Sequence, residues 1–134
     1  MAVRFSVVVP SYNEGAYIAD TINSLRAQRF RGAWEIVVVD NNCTDDTAEI
    51  ARGLGARVVA EPRQGVCNAR QRGAEASRGE IIVSADADTI YPTEWLANID
   101  ASFRADDRVV AVASPCRYAS GPLWGRVYGR LLFG

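Results

Sequence analysis

The sequence predicts an α/β fold, a mainly parallel sheet with helices on both faces. Three observations predict it. Short apolar runs alternate with segments whose apolar residues recur at helical spacing. The runs are continuous, as in "IVVVD" over residues 36–40, so both faces of a strand must be covered. Polar residues gather just after the runs, and open parallel sheets bind ligands outside the carboxyl ends of their strands.

Each element has its own signal. Phe5 to Val9 is an apolar run closed by Pro10, the first strand. Tyr17, Ile18, Thr21, Ile22 and Leu25 then share a helical face, with Asn13 as the expected N-cap. Trp34 to Val39 is the second strand and ends at Asp40. Thr44 is expected to cap a helix whose first turn holds Asp45 and Asp46, where acids suit the dipole. Ala48, Ile50, Ala51 and Leu54 continue it and Gly55 stops it. Arg57 to Ala60 is a short third strand, "EPRQG" a loop, and Val66 to Ser77 a helix rich in alanine and arginine. Glu80 to Ser84 is the fourth strand. Pro92 is expected to open a helix through Phe103, and Val109 to Ala113 to form a fifth strand.

Composition narrows the function. The chain has 134 residues, enough for one core, and a net charge of -1, which gives no field for nucleic acid. No apolar run is long enough to span a bilayer, and no signal peptide is visible. Cys43, Cys67 and Cys116 are odd in number and far apart, as expected of free thiols in a cytoplasmic protein. There is no histidine and no lysine, so Ser-His and Cys-His pairs, His-ligated zinc, Schiff bases and a P-loop lysine are excluded. Any metal must rest on oxygen ligands, which favours Mg²⁺ or Mn²⁺. "GLGARV" follows a helix rather than a first strand, so it is a helix stop and not a dinucleotide fingerprint.

The segment "IIVSADADTIYP" carries the sharpest signal. A buried strand runs into Asp86 and Asp88, two like charges separated by one alanine. Residues i and i+2 of an extended segment share a face, so both can point into one site. Repulsion and desolvation oppose that placement unless a cation or polar ligand balances it. The plain alternative is a solvated turn. Asp40 likewise has an alternative role, capping its own turn, and Tyr12 could be a loop anchor. Arg63, Arg70 and Arg72 could be surface residues with their stems packed down.

Three blocks, "VVVPSYNEGAYIADTINSL", "EIVVVDNNCTDDTAEIA" and "GVCNARQRGAEASRGEIIVSADADT", together resemble the family 2 glycosyltransferases of the GT-A fold. The resemblance spans residues 3–115. It implies a Rossmann-like sandwich that binds a UDP- or GDP-sugar with a divalent cation. By the same resemblance, Pro10, Tyr12 and Glu14 line the nucleotide pocket, Asp40 contacts the base, and Arg70 sits beside the nucleotide. Asp86 lies near ribose and metal, and Asp88 holds the metal. Gln71 stands where the family usually has asparagine, and Cys43 where serine is common.

Family members continue well past this length, into an acceptor half that carries the general base. The expectation is therefore a donor-binding domain at 1–115, truncated before the acceptor half, with 116–134 as an amphipathic tail. Trp124, Val127, Tyr128, Leu131 and Leu132 fall on one helical face of that tail. Three settings stay open for residues 122–133: packing on the chain's own sheet, a membrane surface, or a stub that seeks cover in a dimer. The resemblance implies an inverting transfer to a saccharide or lipid-linked acceptor, which places the protein in the cytoplasm or at the inner membrane face. The rival function is a non-catalytic nucleotide-binding or interaction module.

Overall fold

A computed structural model describes residues 1–116. The elements run β1 (Val3–Ser11), α1 (Ile18–Arg26), β2 (Ala33–Asp40), α2 (Thr47–Gly53), β3 (Arg57–Ala60), α3 (Val66–Ala76), β4 (Ile81–Ser84) and α4 (Trp95–Ala105). The chain divides into two compact units, Met1–Asn98 and Ile99–Gly134. The first holds the whole sheet. In the second, the last turns of α4 carry an Asp100–Arg104 ion pair of 2.6 Å at i,i+4 spacing. The tail 122–133 lies outside the described residues.

The four strands are all parallel, in the order β3-β2-β1-β4. The chain thus steps outward from β1 to β3, then crosses back to the other side of β1. Right-handed crossovers place α1 and α2 on one face and α3 on the other. The α3 face buries Val8, Val37, Val39 and Ala69, with Val59 and Ala76 packed around them. The pleat turns Phe5, Val7, Val9, Ile36 and Val38 to the opposite face, and all are buried. Both faces are covered over β1 and β2. The run before Asp86, expected as a buried strand, is covered on one face only among the described residues: Val83 is buried, but Ile82, on the Val8 side of the edge strand β4, is 50% exposed.

α3 approaches the sheet closely because its inner face is nearly bare. A Cβ on Gly73 would come within 2.2 Å of Val8 Cγ1 and 3.1 Å of Val39 Cγ2. α2 ends as expected at Gly55, whose φ of 86° suits glycine. The Ala56 amide donates to the Ala51 carbonyl and the Gly55 amide to the Arg52 carbonyl, the paired bonds of a Schellman stop.

The amino end of the sheet is tied by charge. Ser6 Oγ donates to Glu35 Oε1 at 2.7 Å, and Arg57 Nη2 reaches Glu35 Oε2 at 2.9 Å. The Arg78 amide donates to Glu35 at 2.8 Å and the Gly79 amide to Ser6 Oγ at 2.8 Å. Arg57 also donates to the Ala76 carbonyl at the end of α3. Burial pushes the Glu35 carboxyl up, but these donors outweigh it and hold its pKa below the ordinary glutamate value.

Four expectations are corrected. Residues 109–113 form no strand; residues 110–116 are exposed, and they join no ladder among the described residues. Apolar sequence alone does not make a strand, because its backbone groups need a partner. Asn13 does not cap α1, whose first turn has no side-chain cap; its Oδ1 instead accepts the Thr44 amide at 2.7 Å. Thr44 does not cap α2, because the Asp45 Oδ1 accepts the Thr47 amide at 3.1 Å and begins the turn itself. Pro92 precedes α4 by one turn, its carbonyl accepting the Trp95 amide at 3.1 Å.

Candidate functional site

The carboxyl ends of β1 and β4 flank the point where strand order reverses, the expected place for a ligand crevice. An open cleft of about 460 Å³ lies there. Pro10, Tyr12, Glu14, Arg70, Asp86 and Asp88 all line it, joined by Ser11, Asn41, Gln64, Val66, Ala69 and Ala87. Six of the seven residues singled out in the sequence thus converge. Asp40 is not in the lining; its Oδ1 accepts the Cys43 amide at 2.9 Å, the turn-capping geometry.

The two loops that begin the site are sewn together. Asn13 adopts φ 51°, which lets its side chain reach the loop before α2. The Glu14 amide donates to Thr47 Oγ1 at 2.9 Å, and the Gly15 amide to Asp45 Oδ2 at 3.0 Å. The Asn13 amide also points at Cys43 Sγ, 3.4 Å away, and Sγ faces the Ser11 carbonyl at 3.5 Å. Cys43 therefore fills the bridging place a serine hydroxyl would take. Burial pushes its thiol pKa up. "SYNEG" and "DNNCTDDT", some thirty residues apart, make one double loop. Tyr12 is 53% exposed and lines the cleft, so it is not packed beneath the loop.

The segment after β4 keeps the strand's alternation. Ala85 and Ala87 are buried while Asp86 and Asp88 are exposed, so both carboxylates emerge on one side. Neighbours pin the backbone between them. The Asp86 amide donates to Tyr91 Oη at 2.8 Å, and Thr21 Oγ1 donates to the Ala87 carbonyl at 2.9 Å. Tyr91 is itself held by a ring contact with Trp95 at 4.2 Å. Arg70 Nη2 reaches Asp86 Oδ1 at 2.9 Å, and Nη1 donates to Ser84 Oγ. Of the three arginines named above, only Arg70 lines the cleft; Arg63 pairs with Glu61, and Arg72 donates to the Ala60 carbonyl.

The cleft has excess negative charge. Burial pushes the Glu14 pKa up, and the charges of Asp88 and Asp45 add to the shift. A cation beside Asp88 would relieve that repulsion. Among the described residues, no three acids or cysteines form a ready metal cage. Two exposed carboxylates with oxygen donors only suit Mg²⁺ or Mn²⁺, which bind through one or two carboxylates and complete their shell with ligand phosphates and water.

Asn41 was not singled out in the sequence. Its buried side chain donates to the Glu61 and Arg63 carbonyls, each at 2.8 Å, and accepts the Gly65 amide at 2.9 Å. It thereby holds the loop that carries Gln64 and the start of α3. Its place directly after β2 was the available signal. Thr21 announced itself as a hydroxyl on an apolar helical face, whereas Tyr91 gave no signal at all.

The profile of the family described as "Glycosyl transferase family 2" matches residues 6–132. Glycosyltransferase AglE of Haloferax volcanii is 34% identical over 98 residues, 68% of this chain and 32% of the relative. The mannosyltransferase PcManGT of Pyrobaculum calidifontis, solved with GDP-Man and Mn²⁺, superposes with a TM-score of 0.77 at 30% identity. That match covers 88% of this chain and 36% of the other. Glucosyl-3-phosphoglycerate synthase of Mycobacterium tuberculosis, solved with Mn²⁺, UDP and glucosyl-3-phosphoglycerate, gives 0.64 at 32% identity, over 76% and 39%. The chain thus spans about a third of the length of the relatives it matches. The matched structures share the GT-A fold, and the sheet described here is that α/β architecture.

Proposed function

Since the chain belongs to glycosyl transferase family 2, we propose that its cleft binds a nucleotide-diphospho-sugar, UDP- or GDP-linked, together with Mg²⁺ or Mn²⁺. In the full-length enzyme this donor serves inverting transfer to an acceptor hydroxyl, on a saccharide or a lipid-linked sugar. The observation that carries the reading is the convergence of Pro10, Tyr12, Glu14, Arg70, Asp86 and Asp88 on one cleft at the strand-order reversal. The GDP-Man, UDP and Mn²⁺ found with the similar structures support the ligand class.

Each residue has a physical task. Tyr12 and Pro10 offer apolar surface to the nucleoside, and Arg70 offers a planar fork to phosphate oxygens. Asp40 serves the base, with Oδ1 already committed to its own turn. Asp88 would hold the divalent ion, with Asp86 placed for ribose or metal. An ion held there would supply Lewis-acid stabilisation of negative charge on the diphosphate. Thr21 and Tyr91 fix the backbone between the two acids, so their geometry is set before ligand arrives.

Transfer also needs a base on the far side of the sugar, because an acceptor hydroxyl does not ionise near neutral pH. No acid follows Asp107 in the sequence, so residues 1–134 by themselves are expected to bind donor without transferring it. Calorimetric titration of UDP and GDP, with Mn²⁺ and with EDTA, tests the proposal. Asp88→Ala is expected to abolish the metal dependence while circular dichroism stays unchanged. Equal affinity of the parent chain in Mn²⁺ and in EDTA would sink the metal-assisted reading.

A further inference from the structure

We propose that Arg70 is a built-in counter-ion for Asp86, which the ligand's diphosphate must draw away before the carboxylate can serve metal or ribose. Nucleotide and metal then bind as a coupled pair rather than independently. The inference rests on the donor reading above.

Both terminal nitrogens of Arg70 are committed, Nη2 to Asp86 Oδ1 at 2.9 Å and Nη1 to Ser84 Oγ. Ala69, 1% exposed, seats α3 on the sheet and leaves the neighbouring Arg70 at the cleft. The backbone of Asp86 is pinned by Tyr91 Oη, and the next carbonyl by Thr21 Oγ1. The backbone that carries the acid is therefore fixed; both side chains are partly exposed, and the longer arginine has the reach to exchange partners.

A bare divalent ion approaching Asp86 meets the guanidinium charge at hydrogen-bond distance from its own ligand atom. It is left with Asp88 as its main carboxylate, a poor site for a strongly hydrated ion. A diphosphate changes both terms. Its oxygens match the guanidinium fork and carry more charge than one carboxylate, so Arg70 exchanges partners. Asp86 is released beside the phosphates that complete the ion's shell. Coupling of this kind is reciprocal: nucleotide must strengthen metal binding by the same factor that metal strengthens nucleotide binding.

The test measures Mn²⁺ affinity without nucleotide, by calorimetry or by the electron paramagnetic resonance of free Mn²⁺. The proteins are the parent chain, Arg70→Met, Arg70→Gln and Arg72→Met. Arg72 lies on the same helix, but its guanidinium donates to the Ala60 carbonyl. It therefore controls for the change in net charge. The expected result is a rise of about fivefold in bare Mn²⁺ affinity for both Arg70 variants, the scale of an exposed ion pair. Arg72→Met should show none. The gain in Mn²⁺ affinity on adding UDP or GDP should be smaller in the Arg70 variants than in the parent. Unchanged bare Mn²⁺ affinity in the Arg70 variants overturns the inference while leaving the donor reading intact, provided that the parent still binds nucleotide with Mn²⁺. A parent chain that binds no nucleotide under any condition overturns both.

Discussion

Asp40 ends β2 with one carboxylate oxygen on the Cys43 amide, and this decides how its role is best tested. Alanine would remove the turn and the charge together. Asn keeps an acceptor oxygen for the amide and removes the charge alone. Asp40→Asn is expected to weaken UDP and GDP by about 1–3 kcal/mol, the range for a buried donor left without its partner. Unchanged nucleotide affinity would reduce Asp40 to a turn residue. Pro10, Asp86 and Asp88 were legible from their places just after apolar runs, whereas Tyr12, Glu14 and Arg70 were assigned only through the family resemblance of their blocks. Asn41 and Thr21 left a local signal of position but not of role, because they act on backbone groups of remote loops, and Tyr91, which accepts the Asp86 amide five residues away, left none. Asn41 bonds to residues twenty or more positions away, and no local pattern encodes that meeting. Asn13 failed as an N-cap for a related reason. Its left-handed backbone, φ 51°, sends its side chain across to the next loop instead of along its own helix.

Among the elements, α3 is the one whose packing sets the width of the cleft. It brings Val66, Ala69 and Arg70 to the wall, and it sits on Val8 and Val39 through Gly73. Two effects oppose each other at Gly73. Helix propensity favours alanine there by roughly 1 kcal/mol. Overpacking against fixed core residues costs about 1–3 kcal/mol. A contact of 2.2 Å with Val8 Cγ1, on a strand residue only 2% exposed, leaves little room to give, so the steric cost wins. Gly73→Ala is expected to lower the urea midpoint and to weaken nucleotide binding as the helix lifts. A raised midpoint would show that the sheet yields more readily than this packing implies. In the sequence this glycine passed as one small residue in an alanine-rich helix, because its constraint comes from strands thirty to sixty-five residues away. The four strands and their helices were legible because continuous apolar runs and helical spacing are local signals. Val109–Ala113 offered the same local signal without a ladder, and so misled.

At the scale of the whole described sheet, the two ends of the strands carry different chemistry. The amino end is closed by Ser6, Glu35, Arg57 and Arg78, and the carboxyl end is open and acidic. Glu35 has a folded pKa below its ordinary value, so its contribution is present above about pH 4.3 and is lost as pH falls through the folded value. Acid unfolding, followed by the urea midpoint between neutral pH and pH 3, should therefore show a loss in this window. Glu35→Gln should be less stable at neutral pH and should lose less across the same range. Parallel curves for the two proteins would remove Glu35 from the acid response. Glu14 acts with the opposite sign: its raised pKa makes its share of stability larger at low pH, lost as pH rises through the folded value. The separation of the two ends has an evolutionary consequence. Changes at the loops after β1 and β4 leave the amino-end knot untouched, so the lining of the cleft can drift there while the scaffold keeps its hold. Sequence variation between lineages would then concentrate along one rim of the sheet, with the opposite rim as the heritable constant.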